Sequence, residues 1–221
     1  MTRQLTLDLI AVAPPSLENF VPGRNRECVT RLRALRDGDR TQRFVYLWGE
    51  PGSGRSHLVR ALAERGRLLL PDSPPEAFGF DASCPVYAAD DVQSFDAARQ
   101  HALFHLFNQV LAEPGAALVT SGNAPPLGLR VREDLRTRIG WGLVYELRLL
   151  TDDEKGEALR QAASDRGVAV SPDVVPWMLT HRSRDIRALL EQFDALDRYA
   201  FERKRPITLP LVREWLQREL G

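Results

Sequence analysis

The stretch Leu47–Leu58, LWGEPGSGRSHL, decides how the rest of the chain is read. A phosphate-binding loop has the form G-x-x-x-x-G-K-[ST]. Gly49, Gly54 and Ser56 meet it, and Arg55 stands where lysine is expected. Upstream, RFVYLW (Arg43–Trp48) is a short aromatic and β-branched run ending in glycine, which predicts a buried strand. Downstream, SHLVRALAER predicts a helix. In that setting the successive N–H groups of the loop cradle phosphate oxygens, and the helix N-terminus adds its dipole. Gly49, Gly52, Gly54, Arg55, Ser56 and His57 are therefore candidate nucleotide-binding residues. Arginine keeps the positive charge but is bulkier and forked, a change expected to spare diphosphate binding more than transition-state geometry. The bland alternative is a glycine turn that holds no nucleotide.

Outward from the loop, strands and helices alternate. NRECVTRLRAL predicts a helix with Cys28, Val29, Leu32 and Leu35 on one face. RLLL (Arg67–Leu70), PVYAADD, AALVTSGN and LVYELRLL read as further strands. FDAARQHALFHLFNQVLA reads as an amphipathic helix with Phe95, Ala98, Ala102, Phe107 and Val110 near one face, and REDLRTRI as a short helix. The proline-rich segment Pro71–Pro85 reads as loop. After Leu150 only helical patterns follow: TDDEKGEALRQAASDRG, then Asp173–His181, Arg184–Arg203 and Leu209–Leu220. The expected architecture is α/β, a five-stranded parallel sheet with a P-loop followed by a small helical lid. The expected divisions are a tail over 1–15, a nucleotide-binding domain over 16–150 and a lid over 151–221.

Further residues carry candidate chemistry. A carboxylate at a strand tip beside a P-loop holds Mg²⁺ through water, and a second can orient the attacking water. Asp90 and Asp91 end the third strand in that position, and Ser56 would complete the Mg²⁺ set. The alternative is a turn-forming acidic pair. Ser121 or Asn123 follows the fourth strand, where a polar side chain could meet a γ-phosphate. Arg136 and Arg138 precede a Gly-Trp-Gly turn, and Arg184 and Arg187 sit in the lid. For a lone helical arginine, a solvated face is the ordinary reading. His101 and His105 lie one helical turn apart, but the sequence offers neither the glutamate of H-E-x-x-H nor an evident third ligand.

Bulk composition narrows the classes. Thirty basic and thirty acidic residues give zero formal charge, which argues against a dedicated nucleic-acid binder. Only Lys155 and Lys204 are lysines. The two cysteines lack metal-ligand spacing and fit a reducing cytosol. No apolar run reaches the ~20 residues of a membrane span, and no secretion signal is evident. The expected compartment is the cytoplasm.

The set GEPGSGRSHL, YAADD, RTRIGWG and SRDIRALLEQFDALDR resembles AAA+ proteins of the DnaA branch, and within it regulators of the Hda type. LENFVPGRNRE resembles the segment that flanks adenine in these proteins. The resemblance implies ADP or ATP with Mg²⁺ as ligands and DnaA as partner. It implies Arg55 and Ser56 on phosphate and Mg²⁺, and Asp90 and Asp91 as the acidic pair. Arg138 would be an arginine finger acting in trans, and Arg187 the lid arginine sensing phosphates. QLTLDL (Gln4–Leu9) is similar to peptides that dock on the DNA polymerase III sliding clamp, the β subunit. There Gln4 would hydrogen-bond, while Leu5, Leu7 and Leu9 carry the apolar character and Leu7 and Leu9 act as anchors. A period-2 edge strand is the plainer reading of that hexapeptide. A homodimer is compatible with such surfaces. The connection Pro71–Pro85 is shorter than the family's usual one, and the chain stops near the lid's end, where DnaA continues into a DNA-binding domain; direct sequence-specific DNA binding is not expected. The function so implied is a nucleotide-bound regulator, ADP being the favoured ligand, that stimulates DnaA's ATP hydrolysis with little turnover of its own and so prevents re-initiation. A stand-alone helicase-loading ATPase and a non-hydrolysing DnaA scaffold are the alternatives.

Overall fold

The computed structural model describes residues 14–219. Gln4, Leu5, Leu7 and Leu9 lie outside the described residues. Five strands, β1 (Phe44–Gly49), β2 (Arg67–Leu69), β3 (Val86–Ala89), β4 (Ala117–Gly122) and β5 (Leu143–Leu147), form one sheet in the order β2-β3-β4-β1-β5. All four pairings are parallel. β3 and β4 are buried at every position, as expected of strands covered on both faces. One face packs on α1 (Arg26–Arg36) and α2 (Arg55–Ala63), through Val29, Leu32, Leu58 and Leu62. The other packs on α3 (Ala97–Ala112) and α4 (Glu133–Ile139), through Leu103, Phe107, Leu135 and Ile139. Both cysteines are free and buried, and burial pushes the Cys28 thiol up to about 12.

The remaining helices are α5 (Asp152–Asp165), α6 (Val174–His181), α7 (Ile186–Arg203) and α8 (Leu209–Glu219). They close a separate core around Leu159, Phe193, Leu196 and Leu211. Thr151 opens α5 with a capping box: its hydroxyl accepts from the Glu154 amide at 3.2 Å, and Glu154 accepts from the Thr151 amide at 2.8 Å, satisfying two otherwise orphaned donors. Among the described residues no helix is long and apolar enough to cross a membrane.

Three details depart from the sequence reading. Ala98 is exposed, and the buried face of α3 is Leu103, Leu106, Phe107 and Val110. Phe95 is buried just before the helix, where Asp96 caps it, so the helical period starts two residues later than Phe95 suggests. β5 stops at Leu147, short of Leu150, because both polar groups of the Arg148 backbone are taken by the Asn25 side chain. Pro71–Pro85 is not bare loop: a 3-10 turn, Pro75–Phe78, drives Phe78 into the core against Phe95, ring centroids 5.6 Å apart.

Candidate nucleotide site and the arginine at the opposite edge

The glycine loop follows β1 at the carboxyl ends of the strands, where open parallel sheets place ligands. Gly52 and Gly54 adopt φ of 84° and 93°, a region costly to residues with a Cβ. A Cβ on Gly54 would also come within 2.5 Å of Phe20 Cε2. The amides of Gly54, Arg55, Ser56 and His57 find no acceptor among the described residues, while Leu58 closes the first helical bond to Gly54 O at 3.0 Å. Such orphaned N–H groups at a helix start suit an anion.

Above them lies a cavity of about 280 Å³, lined by Gly52–His57 together with Phe20, Asn25, Arg148, Leu150 and Arg187. Its ionic lining includes Arg55, Arg60, Arg148 and Arg187 against the single carboxylate of Asp185. Free amides, left-handed glycines and an arginine excess fit a polyphosphate. Arg187 is exposed, with Nε 3.9 Å from Asp185 Oδ1. Arg184 is also exposed and does not line the cavity.

His57 faces the entry segment. Its Nε2 lies 2.8 Å from the Ser16 carbonyl oxygen, and its ring packs on Phe20 at 5.4 Å. Burial holds its pKa below the ordinary histidine value, opposed by the Ser16 bond; nearby Arg187 lowers it further and Asp185 raises it. Asn25, buried, completes the wall. Its Nδ2 donates to Arg148 O at 2.9 Å and its Oδ1 accepts from Arg148 N at 2.8 Å. The segment flanking the cavity is thus joined to the chain between sheet and lid.

Arg55 turns toward the strand tips. Its Nη1 donates to the Gly122 carbonyl, and its Nη2 lies 3.8 Å from Asp91 Oδ1; its side chain is 11% exposed. Asp91 adopts φ of 52° and also accepts from Gln93 Nε2 at 3.2 Å. Asp90 is 3% exposed. The Ser121 hydroxyl donates to Asp90 Oδ1 at 2.6 Å and accepts from the Asp91 amide at 3.0 Å. Asp90, Asp91, Ser121 and Arg55 therefore form one connected group at the tips of β3 and β4. Ser56 is half-buried at the loop, and Asn123 is exposed beyond β4. Gly49 closes β1, where a Cβ would meet Leu147 O at 2.4 Å.

Arg138 lies elsewhere. It lies in the last turn of α4, ahead of Gly142, where an added Cβ would clash with Phe44 O. Leu143 pairs with Val45 at the start of β1. Arg138 is thus at the amino end of the strands, the edge opposite the glycine loop. Its guanidinium stacks on Trp141 at 3.9 Å, with Phe104 and Phe107 near 6 Å. No carboxylate pairs with it among the described residues. Arg136, half-buried one turn before the Gly-Trp-Gly bend, is not in that stack. His101 and His105 face each other on α3, Nε2 to Nε2 at 2.9 Å, and Arg132 Nη1 is 3.2 Å from His101 Nδ1. Among the described residues no three metal-ligating side chains converge.

Sequence reading missed Asn25, Arg148, Arg60 and Trp141. Asn25 carried a signal, as a cap-type residue before α1, but its partner is 123 positions away.

A parallel five-stranded sheet in this order, a glycine loop at its carboxyl edge and a helical lid beside the cavity define a P-loop module of the AAA+ class. The comparisons place it more closely. Residues 152–216 match the family model described as Hda, lid domain. An uncharacterized protein of Haemophilus influenzae is 32% identical over 230 aligned residues, covering 98% of this chain and 99% of that protein. Among solved structures, AMPPCP-bound DnaA from Aquifex aeolicus superposes with TM-score 0.66 at 17% identity, over 87% of this chain and 67% of that one. Domain III of the Thermotoga maritima replication initiation protein DnaA gives TM-score 0.67 at 18% identity, over 91% and 95%. The chain thus belongs to one family with the Haemophilus influenzae protein, carries an Hda-type lid over residues 152–216, and has the AAA+ fold of DnaA.

Proposed function

We propose that this protein, with nucleotide bound, stimulates ATP hydrolysis by DnaA and so restrains replication initiation. The observation that carries the reading is the placement of Arg138: at the sheet edge opposite its own glycine loop, with no carboxylate partner among the described residues. A guanidinium that is remote from its own cleft and unneutralised is suited to another subunit's triphosphate. An arginine finger supplied in trans is worth ~10³–10⁵ in rate.

The chain's own cleft would hold ADP or ATP. The amides of Gly54–His57 would bind phosphate oxygens, Gly49 and Gly52 would let the loop turn, and Phe20 would flank the base. Arg187 would neutralise phosphate from the lid side. When bound, Mg²⁺ would offset phosphate charge; the Ser56 hydroxyl and Asp90, the latter through water, are the groups that would hold it. Asn123 would reach the terminal phosphate. Asp91 is the candidate for orienting water, yet its carboxylate faces Arg55 and accepts from Gln93. That engagement supports a site used for binding, with ADP the favoured ligand, over a fast independent ATPase. In this reading the protein acts in the cytoplasm without sequence-specific DNA contacts. Gln4, Leu5, Leu7 and Leu9 dock on the sliding clamp, and tethering there raises the effective concentration near DnaA. Self-pairing as a homodimer is compatible with it. The proposed division is a tail over 1–15, the nucleotide-binding domain over 16–150 and the lid over 151–221.

The test is Arg138→Ala in a DnaA ATPase assay with DNA-loaded clamp. Stimulation is expected to fall by ~10³-fold or more, with ADP affinity and clamp pull-down unchanged. Undiminished stimulation overturns the finger assignment. Replacing Gln4 and Leu7 with alanine is expected to abolish clamp pull-down, and retained binding overturns the clamp assignment.

A further inference from the structure

An arginine side chain on a surface has many rotamers, and fixing it costs entropy. Several arginines here are fixed by carboxylates: Arg31 on Asp39 at 2.6 Å, Arg132 on Asp134 at 2.7 Å, Arg166 on Asp194 at 2.8 Å. Such a bond orients the side chain, but it also neutralises the charge and consumes N–H donors. Arg138 is fixed differently. Three aromatic rings surround its guanidinium: Trp141 at 3.9 Å, Phe107 at 5.9 Å and Phe104 at 6.0 Å. Ring faces attract a cation through their quadrupole and hydrogen-bond to none of its in-plane donors. The side chain is oriented while its charge and its donor fork stay available.

The enclosure has a fixed wall and an open one. Phe107 is buried and stacked on Phe44, centroids 4.2 Å apart at 18°. Trp141 is 58% exposed and belongs to no core cluster among the described residues. Its place is set by the backbone: Trp141 N–H donates to Arg138 O at 3.1 Å, which folds the turn back over α4. Gly142, where a Cβ would clash with Phe44 O, lets the chain pass from this turn directly into β5.

We infer that Trp141 is a positioning residue: it holds the Arg138 guanidinium flat and un-neutralised, ready for an anionic group of the partner's nucleotide. The inference rests on Arg138 acting in trans, as proposed above. Trp141 supplies orientation and no charge. Its removal therefore lowers the maximal stimulated rate, and leaves the concentration giving half-maximal stimulation unchanged. A phenylalanine ring preserves the stack and leucine does not.

The experiment measures DnaA ATPase against concentration of the full chain for wild type, Arg138→Ala, Trp141→Leu and Trp141→Phe. ADP affinity at the opposite sheet edge serves as the control for folding. The expected result for Trp141→Leu is a maximal stimulation reduced about tenfold, about 1.4 kcal/mol, at unchanged half-saturation. Trp141→Phe is expected to recover most of it. If Arg138→Ala stimulates normally, the finger reading itself fails. If Arg138→Ala is inert while Trp141→Leu matches wild type, the positioning inference alone fails. It fails equally if Trp141→Leu shifts only half-saturation, or if Trp141→Phe is as defective as leucine.

Discussion

Arg55 and Arg138 are both arginines beside a strand of one sheet, and they are held in opposite ways. Arg55 follows β1 at the carboxyl edge, nearly enclosed, bonded to the Gly122 carbonyl and facing Asp91. Arg138 precedes β5 at the amino edge, ringed by aromatic side chains and without an anionic neighbour among the described residues. One charge is committed inside the molecule, and the other is kept in reserve. The difference teaches that the group at the lysine position of the motif helps hold the strand tips together, whereas the guanidinium at the far edge keeps its charge unneutralised among the described residues.

The sharpest way to break that division is Gly54→Ala. The left-handed backbone costs roughly 1–2 kcal/mol for a residue with a Cβ, and the contact with Phe20 adds to it. A loss of roughly 100-fold in ADP affinity, near 2.7 kcal/mol, is expected in a titration. With nucleotide at saturating concentration, the Arg138 edge should still stimulate its partner; if it does not, the two edges are coupled.

Ser121→Ala probes the committed side next. It leaves the buried Asp90 carboxylate without its hydroxyl donor and the Asp91 amide without its acceptor. A stability loss of about 1–3 kcal/mol is expected, read as a Tm fall of roughly 2–4 °C per kcal/mol for a chain this size. An unchanged Tm would show that the Asp90–Ser121 bond does not secure the strand tips.

The smallest effect is one of pH. Burial lowers the His57 pKa, so the unfolded state binds the proton more readily than the folded one. Stability from this group is complete above the ordinary histidine value of about 6.5 and declines as pH falls through the lower folded value. The wild type should lose Tm in that window relative to His57→Gln. Equal slopes for the two chains would remove His57 as the cause.

Much of the fold was legible because its signals are local. β1, the glycine loop and α2 are contiguous, and Thr151 with Glu154 announces α5 within four residues. The Asp90–Asp91 pair was visible as strand-tip acids, but its bond to Ser121 was not, since 31 positions separate Asp90 from Ser121. The aromatic enclosure of Arg138 draws on α3 and the turn before β5, so no single periodic stretch contains it. Ala98 was misplaced because alanine is compatible with either face of a helix, and only the cap at Asp96 sets the phase.

The Asn25 carboxamide has a mechanical consequence. It engages both polar groups of the Arg148 backbone, and the Thr151–Glu154 box fastens the start of α5 three residues later. Between these two anchorages the backbones of Leu149 and Leu150 make no hydrogen bond among the described residues, so a swing of the helical part against the sheet is expected to pivot there. A carboxylate at position 25 could not donate to the Arg148 carbonyl, and the pivot would slide back toward β5.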